Sequence, residues 1–212
     1  MVSPLVIFDF DGTLGNSLPW LRSVVNDVAL VYGFKQLNDE EVELLRSMNF
    51  ADILNYLAVP KWKVPAIAAH VRIKMAESIE EIPLFPGVED AIKQLAEIDC
   101  TLAVVSSNSE PNIRSVLGAG LSNHMVGFEC GVSLFGKSKK LRKVIRNVGR
   151  SGNQRTIYVG DEVRDIDAAK DAGILSTSVT WGYGKSDMLA KKSPDYLIEN
   201  FDQLFQVVSG QL

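Results

Sequence analysis

Leu5-Val6-Ile7-Phe8-Asp9-Phe10-Asp11-Gly12-Thr13-Leu14 is the stretch on which the fold turns. Four apolar residues in a row mark a strand buried on both faces, as in a parallel sheet covered by helices on either side. The strand then runs into two carboxylates separated by one residue. Period-two alternation sends Asp9 and Asp11 to the same side, at the strand's carboxyl end, where open α/β sheets bind ligands. Carboxylates this close repel each other unless a cation or a shared proton compensates. A divalent metal meets that need, and oxygen donors favour Mg²⁺. An Asp-Gly turn accounts for Asp11-Gly12 on its own, but it leaves Asp9 unexplained.

Similar short apolar runs recur at Leu102–Val105, Thr156–Val159, Ser176–Thr180 and Tyr196–Ile198. From residue 87 onward they alternate with helical patterns, the rhythm of βαβ units. Leu141, Val144, Ile145 and Val148 fall at helical spacing, and Gly149 marks the stop. The first strand breaks this rhythm. About 70 residues of helical pattern follow it, far more than the dozen or so a crossover needs. Asn38 and Glu41 form a capping box ahead of Val42, Leu45 and Met48. Val64, Ile67, Ala68, Val71, Met75 and Ile79 make a second apolar stripe, and Pro83, Pro86 and Gly87 punctuate the return. The expected fold is α/β: a Rossmann-like parallel-sheet core over residues 1–15 and 86–212, with an inserted all-helical cap subdomain over 16–85.

Composition agrees with a folded, soluble chain. Of 212 residues, 46% are hydrophobic and 23% charged, which excludes collagen-like, disordered and disulfide-scaffold classes. The net charge of −4 disfavours a nucleic-acid grip, which shows as a basic face. The longest charge-free run, Ser115 to Phe128, is broken by Gly, Ser, Asn and His, so no membrane span is expected. Cys100 and Cys130 fit no metal spacing and read as buried thiols of a reducing compartment. Without a basic, apolar leader pattern, the expected location is the cytoplasm.

Three further clusters could carry chemistry. Gly160-Asp161-Glu162-Val163-Arg164-Asp165-Ile166-Asp167 follows a strand, and Gly160 would let the backbone turn sharply there. If a helical turn starts at Asp161, then Asp161 and Asp165 share a face; an acidic helix start is the alternative, above all for Asp167. Ser106-Ser107-Asn108 ends another strand in small polar groups that could cradle an anion at a helix start, or simply cap that helix. In Phe135-Gly136-Lys137-Ser138-Lys139-Lys140, Lys137 lies four residues before Leu141, on the inward stripe, and is the candidate phosphate-binding cation. Lys139 and Lys143 point to solvent, and no aromatic residues interleave the run as a nucleic-acid platform would need.

In this order the four clusters resemble the haloacid dehalogenase-like hydrolase superfamily, most closely its phosphatases with a helical cap, phosphoglycolate phosphatase-type enzymes among them. Asp9 to Leu14 looks like the first family motif, Ser106 the second, Lys137 the third, and Asp161 with Asp165 the fourth. The resemblance implies a Mg²⁺-dependent phosphatase acting on a small phosphorylated metabolite. Asp9 would be the nucleophile and Asp11 the general acid/base. Asp9, Asp11 through its carbonyl, Asp161 and Asp165 would hold Mg²⁺. Ser106, Ser107, Asn108 and Lys137 would bind the phosphate. Asp11 argues against the dehalogenase branch, whose halide leaving group needs no proton. Sugar-phosphate mutases keep both acids, so a mutase stays open, as does a phosphoacceptor or binding module without turnover. In the cap, Arg46, Ser47 and Asn49 are candidate substrate contacts, with a solvated loop as the alternative. Thr180-Trp181-Gly182-Tyr183-Gly184 looks like a loop of the phosphoglycolate phosphatases, or is a packed aromatic turn. His70 and His124 have no second ligand at metal spacing and read as structural or solvated. Trp20, Trp62 and Trp181 read as packing residues. The sequence names neither the physiological substrate nor an oligomeric state.

Overall fold

A computed structural model describes residues 3–131, 136–149 and 155–211. Phe135, quoted above with the lysine cluster, lies outside them. The strands are β1 (Leu5–Phe8), β2 (Thr101–Val105), β3 (Met125–Glu129), β4 (Thr156–Gly160), β5 (Leu175–Val179) and β6 (Tyr196–Ile198). Between β1 and β2 come α1 (Leu18–Tyr32), α2 (Asp39–Leu45), α3 (Phe50–Tyr56), α4 (Val64–Glu77) and α5 (Val88–Glu97). The remaining helices are α6 (Glu110–Ser122), α7 (Lys137–Asn147), α8 (Val163–Ala172), α9 (Ser186–Lys191) and α10 (Phe201–Ser209).

The sheet is parallel throughout, in the order β3-β2-β1-β4-β5-β6. Alternation along each strand sorts its side chains onto two faces. Val6, Phe8, Leu102, Val104, Ile157 and Val159 pack with Ile92, Ile113 and Leu204, so α5, α6 and α10 cover one side. Leu5, Ile7, Ala103, Val105 and Tyr158 pack with Leu141, Val144 and Ala169 of α7 and α8 on the other. The chain builds outward from β1 to β3, then resumes at β4 on the opposite side of β1. Strand order therefore reverses between β1 and β4, which opens a ligand crevice at their carboxyl ends.

One strand escaped the sequence reading. Strand β3 lies at the sheet edge, contains Gly127 and leaves Val126 61% exposed, so it shows no continuous apolar run. Two burial readings also change. Trp62 is 76% exposed rather than packed, and Cys130 is only half-buried while Cys100 is buried. Burial still pushes the Cys130 thiol up to about 12, so it is protonated at neutral pH.

Helices α1 to α4 form an inserted all-helical cap subdomain. Two chain segments connect it to the sheet, and they hydrogen-bond each other: Asn16 N–H donates to the Pro83 carbonyl (2.8 Å) and Phe85 N–H to the Leu14 carbonyl (2.9 Å). The Asn38–Glu41 capping box at the start of α2 is formed on both sides. In α4 the anticipated stripe is only partly inward: Val64 and Met75 are buried, while Ile67, Ala68 and Val71 are half-buried. Among the described residues, no helix is long and apolar enough to cross a membrane.

Candidate active site

Three strand ends deliver the site. Asp9 follows β1 directly, Asp161 follows β4, and Ser106 follows β2; each is at most 2% exposed. Gly12 turns the chain back with a left-handed φ of +75°, and a Cβ there would lie 2.1 Å from Asp161 Oδ2. Only glycine fits that approach. Gly160 serves a related purpose. The sequence suggested a sharp turn, but Gly160 is the last residue of β4, and a Cβ on it would sit 2.6 Å from the Asp165 side chain.

Lys137, the first residue of α7, is 6% exposed and binds two of the acids. Its Nζ donates to Asp9 Oδ2 at 2.6 Å and to Asp165 Oδ1 at 2.5 Å. Burial alone would favour loss of the ammonium proton; Asp165 and Asp9 outweigh it and hold the lysine above its ordinary range. For Asp165, burial pushes the carboxyl up, but Lys137 and Arg164 more than offset this and leave it below the usual carboxylate value.

Asp165 reaches the site differently from the shared helical face anticipated. Helix α8 begins at Val163, not Asp161, with Glu162 at its N-cap. From the first turn, Asp165 Oδ2 accepts the N–H groups of Asp161 (3.2 Å) and Glu162 (3.0 Å).

Asp161 is wholly buried, and its oxygens accept the Thr13 hydroxyl (2.9 Å) and the Tyr183 N–H (2.8 Å). Among the described residues no basic side chain pairs with it. Burial, then the charges of Glu162, Asp165 and Asp9, push its carboxyl well above the ordinary value. Oxygens of Asp9, Asp161 and Asp165 all lie within 4.8 Å of one another. One ammonium cannot balance three buried carboxylates, so this all-oxygen set fits a hard divalent cation such as Mg²⁺.

Asp11 sits apart from that trio and is half-buried. Its Oδ1 accepts the Ser17 hydroxyl (2.8 Å), and Asn108 Nδ2 lies 3.2 and 3.1 Å from its two oxygens. The Tyr183 hydroxyl meets Ser17 Oγ at 2.8 Å. Burial, followed by the charge of Asp9, raises the Asp11 carboxyl to about 6, against the opposing bonds from Ser17 and Asn108. A carboxyl with that value exists in both protonation states near neutrality, as general acid/base work requires.

The turn after β2 is wired into this network. Ser106 Oγ accepts the Asn108 N–H (3.2 Å), and the Ser107 carbonyl accepts Arg72 Nη1 from α4 (2.9 Å). Helix α6 is capped by Ser109, so Ser106, Ser107 and Asn108 are not its N-caps. In the cap subdomain, Arg46 Nε and Nη2 donate to the carbonyls of Tyr183 (3.0 Å) and Gly182 (3.2 Å), tying the inserted helices to the loop that follows β5. Asn49 caps α3 through Asp52 N–H (3.0 Å). Asp167 is exposed, with Lys192 at 3.5 Å, and stands outside the cluster. Lys140 and Lys143 both pair with Glu129 on the surface.

Sequence reading assigned no role to Thr13, Ser17, Tyr158 or Arg164. The Tyr158 hydroxyl donates to the Val105 carbonyl at 3.2 Å and lies 3.5 Å from Asp165 Oδ1. Arg164 Nε donates to Glu162 Oε2 at 2.6 Å, whereas its Nη1 is buried without a partner. Of these, Thr13 and Arg164 lie inside the motifs already quoted, so position within the motif was the available signal.

Known proteins resemble this chain in sequence and in fold. The family model described as haloacid dehalogenase-like hydrolase matches residues 6–179. The phosphoglycolate phosphatase of Synechococcus elongatus is 32% identical over 207 residues, 96% of each chain. That of Agrobacterium fabrum is 28% identical over 213 residues, 96% of this chain and 91% of its own. A Clostridium acetobutylicum structure described as a predicted phosphatase superposes with a TM-score of 0.82 at 18% identity, covering 99% of this chain and 100% of its own. The chain belongs to the haloacid dehalogenase-like hydrolase family, as one of its phosphatases.

Proposed function

We propose that the protein is a Mg²⁺-dependent phosphatase that hydrolyses phosphate monoesters of small metabolites through an aspartyl-phosphate on Asp9. The supporting observation is the buried trio Asp9, Asp161 and Asp165, only two of which pair with Lys137, with a fourth carboxyl, Asp11, raised to about 6 beside it. Bound by Asp9, the Asp11 carbonyl, Asp161 and, through its water shell, Asp165, Mg²⁺ would offset negative charge on the phosphoryl oxygens. Lys137, Ser106 and the backbone at Ser107 and Asn108 add donors to those oxygens. A carboxylate oxygen of Asp9 attacks phosphorus as the ester P–O bond breaks, and Asp11 gives its proton to the departing alkoxide. Asp11 then takes a proton from a water molecule, which attacks the aspartyl-phosphate, releasing inorganic phosphate and restoring Asp9.

Residues 16–85 act in this reading as the cap and the rest as the catalytic core. Arg46 and Asn49 belong to the cap's substrate side. The relatives' named substrate, 2-phosphoglycolate, is the first compound to try, and a reducing cytoplasm suits the two thiols. Phosphate release from 2-phosphoglycolate and from p-nitrophenyl phosphate tests the proposal. We expect turnover with Mg²⁺, none with excess chelator, and recovery when Mg²⁺ is restored. Turnover indifferent to the chelator would overturn the metal assignment, and no turnover of any ester would overturn the reading.

A further inference from the structure

A cavity of about 300 Å³ opens beside Asp11 and runs into the cap subdomain. Its near end holds Asp11, Asn108 and Arg164; its far walls include Leu21, Val25, Ile53, Leu57 and Val71. A second cavity of about 190 Å³, which also reaches Arg46 and Asn49, shares Leu21, Val25, Ile53 and Leu57 with it. The packing of the cap explains why this space exists. Its apolar side chains form two separate clusters instead of one core. One gathers around Leu45, Leu54, Leu57 and Val64 from α2 to α4; the other gathers around Trp20 and Met75 from α1 and α4. Val25, Ile53 and Val71 are left half-buried around the gap. Of the two guanidinium groups at the cavity, Arg72 donates to the Ser107 carbonyl and Arg164 Nε to Glu162, while Arg164 Nη1 is left without a hydrogen-bond partner.

We propose that the leaving group of the preferred substrate carries a hydrocarbon body, alkyl or aryl, which fills this cavity while its phosphate sits at Asp9. This rests on the reading of Asp11 as the acid beside the leaving oxygen: whatever is bonded to that oxygen extends past Asp11, and past Asp11 the walls are apolar. Ligand pockets of about 300 Å³ or more, apolar with a few polar anchors at one end, are the usual form of small-molecule sites. The two-carbon body of 2-phosphoglycolate fits the entrance but has nothing to place against Val25, Ile53 and Val71. The enzyme therefore accepts such small esters and prefers longer, apolar ones.

The test is calorimetric binding of methyl-, butyl- and hexylphosphonate to the full chain with Mg²⁺, which needs no turnover. Burial of a methylene is equivalent to about fourfold in affinity, from ~0.8 kcal/mol each. We expect Kd to fall at least tenfold from methyl to hexyl, with an increasingly negative heat-capacity change. In Val71→Phe and Ile53→Phe, which narrow the cavity from two different helices, the hexyl-to-methyl ratio should drop toward one. Equal affinities across the wild-type series would overturn the proposal, as would a chain-length gain that survives both variants. Either result stands apart from the phosphatase reading, which hydrolysis of p-nitrophenyl phosphate decides separately.

Discussion

Leu5 to Phe8 are fully buried, as are their ladder neighbours Leu102 to Val105 and Ile157 to Val159, and their side chains merge into two continuous layers. The cap subdomain is packed otherwise. It divides its apolar residues between two clusters, leaves a cavity between them, and exposes Leu30, Val31 and Ile73 by more than 60% each. Tightly packed regions open rarely, and sparsely packed ones open at low free energy. The carboxylates that must be held against mutual repulsion, Asp9, Asp161 and Asp165, and the Lys137 ammonium that pairs with two of them all stand on the tightly packed part. The contacts that would recognise a substrate's body stand on the looser one. Changes to the first should abolish chemistry, and changes to the second should alter binding or local stability.

The largest effect short of removing the nucleophile is expected at Asp11. Asp11→Asn should lower kcat for an alkyl phosphate by ~10²–10⁴-fold, the usual contribution of a general acid/base, and lower it less for p-nitrophenyl phosphate, whose leaving group needs no proton. The pH dependence has a definite sign. The Asp11 carboxyl is raised from 3.8 to about 6, so its protonated, proton-donating form is lost as pH rises through about 6. Wild-type kcat/KM for the alkyl ester should fall above that pH, and a pH–rate profile of Asp11→Asn should lack this limb. Lys137→Ala is expected next. Loss of one charge-stabilising donor costs ~10²–10³-fold in kcat. In addition, removing one partner of a buried ion pair costs about 3–5 kcal/mol, readable by urea unfolding without Mg²⁺.

Cap changes should be milder. Arg46→Ala removes the bonds to Gly182 and Tyr183. Because this link positions the cap rather than the reacting atoms, KM should rise about tenfold, the equivalent of ~1.4 kcal/mol, while kcat stays within a factor of three in steady-state assays. Asn38→Ala should do least. Loss of an N-cap costs about 1 kcal/mol, visible as faster hydrogen exchange in α2 with kcat unchanged. If Arg46→Ala instead removed kcat as thoroughly as Asp11→Asn does, the division of labour between core and cap would be wrong.

The same division governs how much was legible in the sequence. Buried central strands announce themselves as uninterrupted apolar runs, so β1, β2 and β4 could be read directly, as could the inserted helices. Strand β3 could not, because Gly127 and the exposed Val126 break its apolar run, whereas the other edge strand, β6, is apolar throughout in Tyr196-Leu197-Ile198. At the site, Asp9 stood out because it and Asp11 crowd one side of a strand end and repel each other, Asp161 because it follows a strand directly, and Asp165 through its four-residue spacing from Asp161, although helix α8 begins only at Val163. Lys137 stood out through helical spacing. The loop holding Tyr183 was picked out, but that it and Thr13 meet at Asp161 was not, because Asp161 lies 22 and 148 residues away from them in the chain, and no local periodicity encodes that meeting. The half-empty cap was equally hidden: the Val64–Met75 stripe looks like core in sequence, and only its partners reveal that Val71 faces a gap.

The most direct test of the central claim is Mg²⁺-dependent phosphate release by wild type and by Asp9→Asn, with circular dichroism confirming that both are folded. Turnover by the wild type, falling by ~10⁴-fold or more in the variant, is the predicted result for loss of a nucleophile. Undiminished turnover by a folded Asp9→Asn protein would contradict the account.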